Sequence, residues 1–261
     1  DDLRINIKPL SRLIIMILLL FTFIYILPIK ILNIDIPFLT TLMSSHMFSS
    51  IFVLLCFLFV INGANLIDGF NGLLAINLII INIILYYINI KNKNLEFAIL
   101  LISQIIILLS FLLFNFPNAK IFLGDSGAYL FGALTSLNTI ITNNLNPTIS
   151  SFFFCTLLFY LFFEVFFSFF RKVYQNKSPI KPDHLHLHML LYKYLNIKMK
   201  LNDLNYINSL YINFAYCVLV LPSIIFMNNG AICKYWFFSL LAVYLIIYLR
   251  LYSFIKKRID I

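Results

Sequence analysis

Apolar runs long enough to cross a bilayer follow one another along almost the whole chain, at roughly 12–28, 39–61, 72–90, 96–114, 127–142, 149–170, 206–227 and 233–254. A hydrocarbon core about 30 Å thick takes a helix of about 20 apolar residues, and backbone amides in lipid must find partners inside their own segment. The pattern predicts an all-α, polytopic membrane protein with about eight transmembrane helices, in a single domain over residues 1–261. Composition agrees, since 62% of the 261 residues are apolar and 11% charged, against about 25% charged in an ordinary soluble domain. A soluble globular protein is excluded.

The breaks between runs have local causes. Pro28 and Pro37 bracket one, Lys91 to Lys93 form a second, Asn143 to Pro147 a third and Met227 to Gly230 a fourth. Alternate crossing puts these loops on one side and leaves residues 62–71, 115–126, 171–205 and both chain ends on the other. Of the 19 Lys and Arg, only Lys30, Lys91, Lys93 and Lys234 lie on the first side. The positive-inside rule makes the second side cytoplasmic. The net charge of +9 is then mostly topology. Because the basic residues sit between apolar runs, without a patch of interleaved solvent-facing aromatics, the partner is the lipid bilayer and not nucleic acid. The four cysteines show no C-x-x-C spacing and read as small residues of the spans. The chain begins with Asp1-Asp2 and not Met, from which further sequence upstream is expected.

An acid at the centre of a membrane helix costs about 2.5–3.5 kcal/mol, so acids in such a chain are functional candidates. Asp35, Glu96, Asp203 and Asp260 read as solvated loop residues, while Glu164 falls inside a span. Four segments gather the remaining polar groups. Asp1-Asp2 is a carboxylate pair able to hold a hard cation or leave one acid free as a base. Asn62, Asn65 and Asp68 recur every three residues and share a helical face, followed by Gly69 and Gly72, which let backbone approach a ligand. Gly124-Asp125-Ser126-Gly127, after Lys120, reads as a tight loop entering a helix, with backbone N–H donors beside a carboxylate. That combination suits a phosphate held through magnesium. The fourth segment runs from Arg171-Lys172 through Lys177-Ser178-Pro179 to Asp183-His184-Leu185-His186-Leu187-His188. Its Arg and Lys suit a diphosphate. Alternating His184, His186 and His188 on an extended strand could meet one zinc ion, but the oxygen-rich surroundings favour magnesium.

Taken in order, these motifs resemble the polyprenyl-phosphate N-acetylhexosamine-1-phosphate transferases, glycosyltransferase family 4, over essentially the whole chain. The resemblance implies a bacterial plasma-membrane enzyme with a cytoplasmic cleft and about three further helices upstream of Asp1. It implies transfer of a sugar 1-phosphate from a UDP-N-acetylhexosamine to a polyprenyl phosphate, with Mg²⁺, or Mn²⁺ in its place, as cofactor and UMP as the other product. Residue by residue, it places the catalytic aspartates on Asp1, Asp2 and Asp68. The metal aspartate falls on Asp125, with Asp68 beside it. Substrate contacts fall on Asn62, Asn65, Lys120, Arg171, Lys177, His184, His186 and His188. The family's second aspartate in D-G-x-D-G is replaced by Asn71, which puts a catalytic role there in doubt. A homodimer is a further expectation.

Other readings are a phospho-MurNAc-pentapeptide translocase of the same family, a membrane zinc hydrolase and a secondary transporter. The H-x-H-x-H loop favours the amino-sugar branch over the translocase. A transporter would show an inverted repeat and midplane polar groups, whereas here the polar motifs gather at one face.

Overall fold

The computed structural model describes residues 8–32, 34–179, 181, 183–199 and 204–259. Asp1 and Asp2 lie outside them. Every regular element among the described residues is helical: α1 Pro9–Ile26, α2 Pro37–Met43, α3 His46–Ile67, α4 Leu73–Lys91, α5 Leu95–Asn115, α6 Gly124–Leu145, α7 Ser151–Leu157, α8 Phe159–Tyr174, α9 Leu187–Met199, α10 Leu204–Val220 and α11 Gly230–Ile259, with one 3₁₀ turn at Leu221–Ile224.

Six helices among the described residues are long and apolar enough to cross a membrane, and the α7–α8 pair makes a seventh if it is one span bent by 76°. The protein is an all-α, multi-pass membrane protein. The expected eighth span, 127–142, is a helix of the right length: the 22 residues of α6 reach roughly 33 Å. It falls outside the apolar set because it carries buried Thr135, Ser136, Asn138, Thr139, Thr142 and Asn143. These face other helices instead of lipid. Asn138 bonds Gln104 of α5 at 2.7 Å and Asn82 of α4 at 3.3 Å, and Thr142 accepts from Asn89 at 2.9 Å. Interhelical amides of this kind bind helices together where apolar packing gives no preference over lipid.

α3 is the centre of the bundle, although its predicted start at residue 39 falls in the short α2. A Cβ on Gly63 would lie 2.1 Å from the Leu161 carbonyl oxygen of α8, and one on Gly132 of α6 would lie 2.9 Å from Ile61 Cα. Glycine is therefore required for α8 and α6 to approach α3 backbone to backbone. Elsewhere the core is aromatic. Tyr244 and Tyr248 of α11 meet Phe163 and Phe167 of α8 edge-on, with ring centroids 4.9 and 4.6 Å apart.

The two ends of the bundle are tied differently. At one, Asn144 holds Lys30 and Leu32 of the α1–α2 connection. Asp35, read from sequence as solvated, accepts the Ser150 hydroxyl and the Ser151 N–H at the start of α7. At the other end lie the motif segments.

Candidate active site

The site is built on two turns that interlock. Asp68 caps the C-terminus of α3. The chain then turns through Asn71 and Gly72, whose φ of +76° suits glycine. The Gly72 N–H donates to the Asn115 carboxamide oxygen at 2.6 Å, and Asn115 in turn donates to the Ile121 carbonyl at 2.8 Å. Asn71 donates from its side chain to the Pro117 carbonyl at 2.8 Å, while its N–H donates to Asn205 at 2.7 Å. Asn71 is thus a fastener between the 62–72 and 115–127 motifs. A carboxylate there could not donate to Pro117.

That fastening sets Asp68 beside Asp125. α6 starts at Gly124, again with positive φ (+64°), and Asp125 occupies its first turn. The Gly124 N–H donates to Asp68, and burial followed by the nearby charge of Asp125 pushes the Asp68 carboxyl up to about 7. Two carboxylates at a helix N-terminus with one of them reluctant to ionise form a place for a cation. In this structure Arg12 of α1 pairs with Asp125. Asn65 donates to the Tyr129 hydroxyl at 3.4 Å, one turn into α6. Asn62 donates back to Leu58 of its own helix at 2.7 Å. Of the shared face expected at 62, 65 and 68, only the last two positions reach across to α6.

Among the described residues no three His, Cys, Asp or Glu side chains converge as a metal cage. The donor set still fits magnesium. That ion is ordinarily held by one or two carboxylates, its remaining positions going to water and substrate phosphates. It does not fit zinc: His186 and His188 stack with centroids 5.6 Å apart and planes at 5°, and both nitrogens of His186 face carboxylates, Glu164 and Asp183.

The histidine loop differs most from expectation. Instead of an extended strand, Leu187 and His188 open α9. His186 places Nδ1 3.2 Å from Glu164 and Nε2 3.4 Å from Asp183. Asp183 grips Arg171 through both oxygens, at 2.8 and 3.2 Å. Burial works against the Asp183 charge, but the Arg171 guanidinium outweighs it and holds the carboxyl below the usual range. Lys172 turns inward to the Lys181 carbonyl at 2.7 Å. His188 is buried with Nδ1 3.4 Å from the Tyr160 hydroxyl, and burial pushes its ring down to about 4. Arg171, His186 and His188, expected to face substrate, are therefore 8%, 5% and 0% exposed and engaged inside the loop. His184, Lys177 and Lys120 are exposed. Phe70, two residues beyond Asp68, meets His188 and Tyr192 at 5.6 and 5.2 Å, which joins the loop to the carboxylate turn.

Sequence reasoning passed over Arg12, Asn115, Tyr129 and Asn205 as site-shaping residues, since each is unremarkable in its own segment. Glu164 carried a signal, as an acid inside a span.

Residues 1–143 match the family described as glycosyl transferase family 4. The chain belongs to that family. Among curated relatives, it is 32% identical over 139 residues to the undecaprenyl-phosphate alpha-N-acetylglucosaminyl 1-phosphate transferase of Thermotoga maritima, which covers 53% of this chain and 41% of the relative. It is 35% identical over 139 residues to a phospho-N-acetylmuramoyl-pentapeptide-transferase of Streptococcus thermophilus, covering 52% of this chain and 40% of the relative. A Streptococcus agalactiae protein of the same name is 42% identical over 81 residues, 30% of this chain and 24% of that one. The matched stretches span less than half of each relative. The family match takes in the Asp68 and Asp125 motifs and ends before α7, so the likeness of the histidine loop to glycosyl transferase family 4 rests on its own motif.

Proposed function

We propose that the protein transfers an N-acetylhexosamine 1-phosphate from a UDP-sugar to a polyprenyl phosphate, releasing UMP at the cytoplasmic face of a bacterial plasma membrane. The product would begin a cell-envelope polysaccharide or O-antigen. The observation that carries this reading is the meeting of Asp68 and Asp125 at the N-terminus of α6, within a family whose relatives are named for transfers of this kind.

In the reaction an oxygen of the lipid phosphate attacks the sugar-bearing phosphorus of the donor. The bond from that phosphorus to the bridging oxygen breaks, and UMP leaves with the oxygen and its electron pair. A phosphate monoester with a second pKa near 6 is already largely ionised at neutral pH, so Asp1 and Asp2 are assigned mainly to orienting it. Asp68 and Asp125 would hold Mg²⁺, or Mn²⁺ in its place, which when bound supplies neutralisation of the charge developing on the diphosphate. Asn65 with Tyr129 sets the wall beside them. Lys120 and Lys177, exposed at this end, supply positive charge at the rim, and exposed His184 offers its ring nitrogens beside them. An apolar groove of about 460 Å³ runs along α5 past Ile106, Leu109 and Leu113 to Phe116, and offers a prenyl chain a route to the turn that Asn115 pins.

The test uses the full-length protein in detergent with Mg²⁺, a polyprenyl phosphate and a panel of UDP-sugars. UMP release and a lipid-linked sugar phosphate are expected with a UDP-N-acetylhexosamine; folded protein that releases no UMP from any donor removes the assignment. The translocase reading is favoured by the relatives named for pentapeptide transfer, and turnover confined to UDP-MurNAc-pentapeptide would select it. Light scattering of the purified protein tests the expected homodimer.

A further inference from the structure

Glu164 is 1% exposed on a phenylalanine-rich helix. A carboxylate at such a place costs several kcal/mol unless paired on every side. Both of its oxygens are used: one faces His186 Nδ1 at 3.2 Å and the other accepts the Leu187 N–H at 3.1 Å, at the start of α9. From His186 the contacts continue through Nε2 to Asp183 at 3.4 Å, and from Asp183 to both terminal nitrogens of Arg171. Arg171 stands seven residues after Glu164 on α8, two turns along the same stripe. A chain of polar contacts therefore leaves α8 at Glu164, crosses the loop and returns to α8 at Arg171.

The ring of His186 has no nitrogen left for a ligand, since each already faces a carboxylate. The nitrogens without a partner at this place are Arg171 Nε and His188 Nε2, both buried. An anion is the kind of group that would satisfy the first of them. Tyr248 of α11 closes the back of the loop, its hydroxyl donating to the Leu185 carbonyl at 3.0 Å.

We propose that Glu164 is a positioning residue for the nucleotide diphosphate. Through His186 and Asp183 it fixes the guanidinium of Arg171 and the first turn of α9, and His186 acts through this chain and not on the substrate. The inference rests on the transferase reading above and extends it to a residue outside the four motifs.

The test compares wild type, Glu164→Gln, His186→Asn and the double variant in the full-length protein, measuring kcat, KM for each substrate, UMP binding by calorimetry and the melting temperature. Glu164→Gln keeps an acceptor for Leu187 and removes the charge facing His186. It is expected to raise KM for the UDP-sugar about tenfold and to weaken UMP binding in parallel, with KM for polyprenyl phosphate unchanged. The double variant is expected to be no worse than the poorer single one. Asp183→Asn serves as the second entry to the chain and should give the same split. An unchanged UDP-sugar KM in Glu164→Gln, losses that multiply in the double variant, or both KM values rising together with a fallen melting temperature would each overturn the proposal. Wild-type protein that turns over no donor would instead remove the transferase reading itself.

Discussion

The carboxylate turn and the histidine loop lie at the same end of the bundle and solve opposite problems. In the loop the acids are partnered: Glu164 faces His186, and Asp183 faces His186 and pairs with Arg171. In the turn, Arg12 pairs with Asp125, while Asp68, which no cation among the described residues pairs, keeps its proton up to about 7 through burial and then the nearby charge of Asp125. A network of paired groups holds a shape, whereas a carboxyl without a cation of its own is suited to one brought by the reaction. On this view the loop is the frame and the turn is where chemistry occurs.

The largest contrast is expected from removing the crowded charges. Asp68→Asn and Asp125→Asn should each lower UMP release by on the order of 10³-fold while leaving membrane insertion intact and the melting temperature of Asp68→Asn equal to or above wild type. Activity within a few-fold of wild type would place the cation elsewhere. Next come the contacts that hold the turn. Gly63→Ala drives a methyl into the Leu161 carbonyl and should cost about 1–3 kcal/mol in detergent unfolding, with a matching loss of folded enzyme. Asn71→Asp, which restores the family's residue, leaves Pro117 without its donor and should cost about 1–3 kcal/mol. A gain in activity without that loss would show Asn71 to be a catalytic replacement and not a fastener.

A smaller effect separates the two regions by pH. The unfolded chain protonates His188 below about 6.5, while the folded ring, held down by burial and then by His186 against the pull of Glu164, resists until about 4. Between these values the unfolded state binds the extra proton, so stability rises with pH there and is lost as pH falls from about 6.5 to about 4. Melting temperatures across that window should show the slope, and His188→Asn should flatten it. The smallest changes are expected at the rim. Lys120→Ala and Lys177→Ala should raise the UDP-sugar KM by about two- to five-fold and lessen its salt dependence, without moving the melting temperature. A hundred-fold loss at either would promote that lysine from rim to site.

Much of this was legible in the residues. The breaks at Pro28–Pro37, Lys91–Lys93 and Met227–Gly230 fall at helix boundaries as read, because proline, glycine and charge act locally on backbone and lipid, while the one read at Asn143–Pro147 starts three residues early, since α6 runs on to Leu145. Asp68 and Asp125 were picked out by the glycines around them, and the structure brings them together. Asn62 donates back to Leu58 while Asn65 reaches Tyr129, since a three-residue spacing fixes a helical face and not what stands opposite. The burial of Arg171, His186 and His188 was not legible for the same reason: alternation along the chain carries no information about Glu164, which approaches from another helix.

The sequence by itself determined that this chain lives in a membrane and which polar motif segments interrupt its spans, because hydropathy, charge and local motifs are properties of short segments. The tertiary structure decided which polar groups neutralise one another. Pairing energies depend on distance and burial across helices far apart in sequence, and from these came a closed loop around His186 and, beside the Arg12–Asp125 pair, an Asp68 carboxyl with no cation of its own among the described residues.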